Sequence, residues 1–202
     1  MTNNYNLGAI VLFPLLAFSL LAVALILERL LFWFRVQRHS EKVAQKFISS
    51  YQIETQLGIQ ELTNHADLPI VRIFLAALEL DNPTPEKFRL ALETAAQAEL
   101  PILRRFSTIL ETIINVAPLL GLLGTILGLI EAFAALKIGD LGGTNTTGVS
   151  AGISDALIST AVGLVVAIIT LLFANLFRGL YRRHLAFIQR YGGQLELIYQ
   201  EK

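Results

Sequence analysis

The sequence predicts an all-α membrane protein of three transmembrane helices. Its N-terminus lies outside and its C-terminus inside, and spans two and three extend into a cytoplasmic helical region. Three observations lead there. Of 202 residues, 54% are hydrophobic and only 16% charged, too few charges to solubilise that much apolar surface in a single small domain. Three stretches lack Asp, Glu, Lys and Arg, namely Leu7–Leu27, Thr112–Ile130 and Ala156–Phe177. Each has about the 20 residues that cross a ~30 Å hydrocarbon core. Of the 16 Lys and Arg, none precedes the first span and only Lys137 falls in the loop 137–150. The rest lie between spans one and two or after span three, which sets the orientation.

Residues 1–34 form the outer N-terminal end and span one. Trp33, between Phe32 and Phe34, reads as an interfacial anchor, with Tyr5 marking the opposite face. The start lacks the basic end and small-residue cleavage site of a signal peptide. Residues 35–108 are a cytoplasmic insert with helical apolar spacing, as in Val43, Phe47, Ile48 and Tyr51. Pro69 and Asp81-Asn82-Pro83 punctuate it. Thr84, Pro85 and Glu86 supply a cap, a first-turn proline and a dipole-complementing acid for a helix start.

From Pro85 to Leu136 only Pro101 and Pro118 interrupt helical spacing. The expectation is one long helix, kinked at those prolines, that carries span two over 109–136. The outer loop 137–150 leads to span three over 151–178, and a helical tail over 179–202 weakens at Gly192-Gly193.

On a helical wheel, span two has one stripped face and one bulky face. Thr125, Pro118, Ala132, Gly121, Gly128, Ala117, Ala135, Gly124 and Glu131 share an arc of roughly 140°. In span three, Asp155, Ser159, Thr170, Gly163, Ala156, Ala174, Ala167 and Thr160 do the same. Small residues let helix backbones approach closely in lipid, where association gains little from the hydrophobic effect. Gly121, Gly124, Gly128, Gly163 and Pro118 are therefore the expected packing positions. Thr125 and Thr160 would lie at one depth, about 7–9 Å below the outer boundary. Surrounding a common axis, they would form a polar layer, with Ser159 and Asp155 as further lining. The plain alternative stands beside it: the faces only pack, and both hydroxyls return to the backbone one turn back.

Asp155 is an acid near a span's outer end, which points either to function or to the helix dipole. Glu131 is read the same way, more weakly. His39, His65 and His184 fall in cytoplasmic segments without metal-like spacing and read as surface residues. The absence of cysteine excludes disulfides and thiolate sites. No nucleophile–base set, metal cluster or phosphate loop appears, so neither an enzyme nor a cofactor is expected.

"APLLGLLGTILGLIEAF" and "GISDALISTAVGLVVAI" together resemble the ExbB, TolQ and MotA family of proton-channel subunits, most closely its ExbB-like branch. Glu28-Arg29 looks like the family's pair after span one. The resemblance covers the three spans and the helix leading into span two. It implies a homopentamer in the bacterial inner membrane, around a dimer of single-span ExbD- or TolR-like partners whose aspartates carry protons. Thr125 and Thr160 would face those aspartates, and Asp155 stands at the family's pore glutamate, one methylene shorter. Ile169 falls where the branch often has proline, and Glu131 replaces a neutral polar residue.

The implied function is a motor subunit that converts proton motive force into work, energising outer-membrane uptake through a TonB-like protein. A TolQ-like envelope role or a gliding or flagellar stator shares its chemistry. A non-conducting membrane scaffold is the further alternative.

Overall fold

The computed structural model describes residues 7–53, 59–60, 62–134 and 146–201. Tyr5, Ala135 and Lys137 fall outside the described residues. Among those described, five helices of ten or more residues carry the fold, and there is no strand. They are α1 (Leu7–Ile53), α2 (Pro69–Leu78), α3 (Pro85–Leu103), α4 (Ser107–Ala134) and α5 (Thr146–Gln200). Three helical runs are long and apolar enough to cross a membrane: Val11–Gln52, Pro85–Ala134 and Gly152–Gln200. The chain is an all-α membrane protein.

Two compact units divide the chain. An apolar unit comprises Met1–Glu28 and Phe106–Asn175, and a charged unit comprises Arg29–Arg105 and Leu176–Lys202. In the apolar unit, Leu15 and Ala22 of α1 and Ile113 and Ala117 of α4 form a buried cluster. Phe18, Leu120, Val162 and Val166 pack against it. Most large apolar side chains of α4, such as Leu119, Leu122, Ile126 and Phe133, point outward. That arrangement suits helices whose solvent is hydrocarbon.

The charged unit is built differently. Pro69 opens α2 at its first turn, and α2 is buried through Ile70, Val71, Ile73 and Phe74. The Phe47 ring lies 5.3 Å from both Tyr51 and Phe74. Thr84 caps α3, its Oγ1 accepting the Lys87 amide at 3.4 Å. Phe88 of α3 stacks on Tyr199 of α5 at 4.0 Å, and the Tyr199 hydroxyl donates to the Pro83 carbonyl at 2.7 Å. Arg72 of α2 grips Glu99 of α3 with two donors, Nε at 2.7 Å and Nη2 at 2.5 Å. That bidentate pairing raises the Arg72 pKa, chiefly through the hydrogen bond to Glu99.

Three expectations change here. The long helix from Pro85 is interrupted: α3 ends at Leu103, α4 starts at Ser107, and Arg104 to Phe106 form a turn. Phe106 takes a left-handed backbone with φ 67°, which stops a right-handed helix. Its carbonyl then accepts the Leu110 amide at 3.0 Å, the first bond of the new helix. Neither Gly192 nor Gly193 ends α5, which continues to Gln200.

Trp33 is the third. It is 2% exposed, packed edge-to-face on Phe32 at 5.5 Å and on His184 at 5.9 Å. The anchor reading fails because Trp33 lies on a buried seam of α1, Arg29–Trp33–Val36–Ser40–Val43–Phe47, whose alternating four- and three-residue steps are those of a coiled-coil stripe. Phe34 is the exposed aromatic neighbour.

Candidate functional site

The stripped faces of spans two and three meet each other within one chain. From Ala117 onward the buried residues of α4 are Ala117, Gly121, Gly124, Gly128 and Ala132. Facing them on α5 are Ala156, Ser159, Thr160 and Gly163. A Cβ built on Gly163 would lie 2.6 Å from the Ala117 carbonyl oxygen, and one on Gly121 2.9 Å from that of Ser159. On Gly124 it would meet the Ser159 Oγ at 2.5 Å, and on Gly128 the Ala156 Cβ at 3.0 Å. Later positions of α4 meet earlier positions of α5, so the helices run antiparallel with their backbones in near contact. Gly124 also approaches Val11 of α1.

Hydroxyls fill the gap that the glycines open. Thr160 Oγ1 donates to the Gly121 carbonyl at 3.0 Å. Ser159 Oγ shares its one hydrogen between that carbonyl at 3.2 Å and its own Ala156 carbonyl at 2.7 Å. In a regular helix the same carbonyl also receives the Thr125 amide. Thr125 Oγ1 donates to Leu122 at 2.6 Å, as the plain packing alternative expects. Thr160 departs from that alternative, because its acceptor is on the other helix. Both threonines remain half-buried, so each keeps a face open to whatever lies alongside.

Pro118 sits within α4 without ending it. It removes the amide that would bond the Ile114 carbonyl. Asp155 is on α5, one turn before Ser159, and its side chain lies outside the described residues. Glu131 is exposed. The structure thus brings Ser159, Thr160 and Gly121 together, with Thr125 one turn further along α4.

His184 corrects a further sequence reading. It is 6% exposed, stacked on Phe187 at 5.3 Å and edge-on to Trp33. Burial lowers its pKa to about 4. The missed signal was a seam of α5, Phe177–Tyr181–His184–Ile188–Tyr191–Leu195, all buried, with the same alternating steps as α1. His39 is exposed and His65 half-buried.

A model of the MotA/TolQ/ExbB proton channel family matches residues 65–190. The chain is 54% identical over 193 residues to ExbB-like biopolymer transport protein 3 of Synechocystis sp., covering 96% of this chain and 92% of that one. It is 42% identical over 201 residues to ExbB-like protein 1 of the same organism, covering 98% and 79%.

Proposed function

This chain belongs to the MotA/TolQ/ExbB proton channel family, and from that premise we propose that it is the ExbB-like channel subunit of a bacterial inner-membrane motor. Proton motive force is its energy source, and mechanical work delivered through a TonB-like protein to outer-membrane uptake is its product. Five copies surround two single-span helices of an ExbD- or TolR-like partner. The N-terminus is periplasmic and the C-terminus cytoplasmic. The chain binds no cofactor and is not an enzyme.

The observation that supports this reading is the state of the two half-buried threonines. Each has given its hydrogen to a backbone carbonyl, Thr125 to Leu122 and Thr160 to Gly121. What each offers a neighbouring helix is therefore lone pairs. Lone pairs accept from a protonated carboxylic acid and favour it over the carboxylate. Losing the proton requires a hydroxyl to leave its carbonyl and donate instead, so the two protonation states of a guest aspartate prefer different hydroxyl rotamers. A −150 mV potential supplies ~3.5 kcal/mol per proton, ample to drive such an exchange together with a rocking or rotary step. Asp155, near the outer end of α5, is the entry-side acid.

The test is proton flux into liposomes that hold the chain with its partner. Thr160→Val and Thr125→Val each lower flux at least about tenfold, the scale of one lost hydrogen bond to a charged group. Thr112→Val leaves flux intact, because Thr112 is exposed and bonds only Thr108. The Thr160–Gly121 bond equally favours a second reading, a non-conducting scaffold. In that case both variants conduct like the parent wherever the assembly forms.

A further inference from the structure

The surfaces of α1 and α5 change character abruptly. On α1 the exposed large apolar side chains end with Leu31 and Phe34, and on α5 with Leu176, none following before Leu197. Beyond those residues, the stretches Arg35–Lys42 and Arg178–Arg183 carry six Arg or Lys against a single acid, Glu41. That change marks the edge of the hydrocarbon on both helices.

A cleft of about 250 Å³ opens between the two helices just past this edge. Its polar walls are Gln37 and Glu41 on α1 and Arg183 on α5, and its apolar walls are Val36, Leu180 and Phe187. Ser40 and His184 also line it, with Oγ and Nε2 sealed from solvent. Headgroups occupy ~5–8 Å on each side of a bilayer, little more than one helical turn. The rise from Val36 to Glu41, about 7.5 Å, matches that depth. The volume is below the ~300–1,000 Å³ of enclosed small-molecule sites. It suits a headgroup whose chains run out along the apolar helix surface.

Arg183, Glu41 and Gln37 are exposed, and among the described residues neither Arg183 nor Glu41 is in an ion pair. A guanidinium suits a phosphate. A carboxylate can only accept hydrogen bonds, so the rest of the headgroup must donate. An ammonium and a set of hydroxyls both meet that demand. The excess of basic side chains selects the hydroxyl-bearing, anionic headgroup, because an ammonium would cancel the charge of its phosphate.

We propose that this cleft binds the headgroup of phosphatidylglycerol, with its phosphate on Arg183 and its hydroxyls donating to Glu41 and the Gln37 side-chain carbonyl. Val36 and Leu180, at the hydrocarbon end, meet the ester region. Arg35, Arg38 and Arg182 add to the local field without lining the cleft. A lipid so held bridges α1 and α5 at the membrane edge. The inference rests on the membrane placement of these helices and not on conduction, so the flux test does not bear on it.

Trp33 is the only tryptophan and packs on His184, so its fluorescence reports the cleft. The test uses the full-length protein in phosphatidylcholine vesicles that hold a minor fraction of lipid brominated near its ester end. Brominated phosphatidylglycerol quenches Trp33 with about fivefold preference over brominated phosphatidylcholine, the scale of one basic group at an anionic surface. Arg183→Gln abolishes the preference, whereas Arg35→Gln lowers it less than about twofold. Phosphatidylethanol has the same charge and no hydroxyl. Glu41→Ala therefore lowers binding of phosphatidylglycerol relative to phosphatidylethanol at least about twofold, the scale of one lost hydrogen bond.

No preference over phosphatidylcholine or phosphatidylethanolamine, as for a cleft covered by a second copy, overturns the proposal. Equal losses in Arg183→Gln and Arg35→Gln, or an unchanged ratio in Glu41→Ala, reduce it to a diffuse basic surface and overturn it too. Relief of quenching by soluble glycerol phosphate would make this a site for a free anion and not for a lipid.

Discussion

Glycines on the same helix have opposite meanings in the two units. In the apolar unit Gly163 lets α5 approach α4 until an added Cβ would lie 2.6 Å from the Ala117 carbonyl. In the charged unit Gly179, Gly192 and Gly193 of α5 have nothing within 4 Å of such a Cβ. The surrounding contacts differ to match. Where the neighbours are hydrocarbon, the helices are joined by backbone proximity and two hydroxyls on one carbonyl. Outside the spans the joints are rings, Phe47 on Phe74 and Phe88 on Tyr199, and the Arg72–Glu99 pair. Water rewards burial of large apolar surface, whereas lipid rewards close fit.

Substitutions that exchange these two strategies test the contrast. The largest effect is expected for Phe47→Ala, which empties a fully buried ring site. A loss of about 4 kcal/mol is expected in denaturant unfolding of the detergent-solubilised protein. A loss below 1 kcal/mol would mean that the aromatic cluster contributes little. Next comes Gly163→Val, where the added side chain meets rigid backbone instead of a movable tip. Overpacking of that kind costs about 2 to 3 kcal/mol, read as a lower midpoint in the same titration. Smallest, and of opposite sign, is Gly192→Ala. With open space around it and helical backbone on both sides, alanine stabilises by roughly 0.5 to 1 kcal/mol. A destabilised Gly192→Ala protein would show that this stretch needs its glycine for more than fold.

The spans were readable from charge-free length, and the stripped faces from a wheel, because both depend on local spacing alone. What a wheel lacks is a partner: it yields the angle of Gly121 and Thr160 about their own axes, not that one carbonyl would join them. The turn at Arg104–Phe106 was hidden for another reason. A left-handed residue is usually announced by glycine or asparagine, and at this point the chain has phenylalanine. Asn82, with φ 42°, shows the ordinary case, within the Asp81-Asn82-Pro83 stretch that reads as a break. His184 and Trp33 were legible in principle. Their alternating steps of three and four mark buried seams, but tryptophan beside a span and histidine among arginines invite the surface reading first.

The two hydroxyls on Gly121 have a mechanical corollary. Moving α5 along α4 by a single residue, about 1.5 Å, pulls both oxygens from their acceptor and drives Ser159 toward Gly124 or Ala156 toward Gly128. No shallow slope leads away from the present fit, because the opposing backbones leave nothing soft to compress. The two helices are therefore locked in register along this stretch.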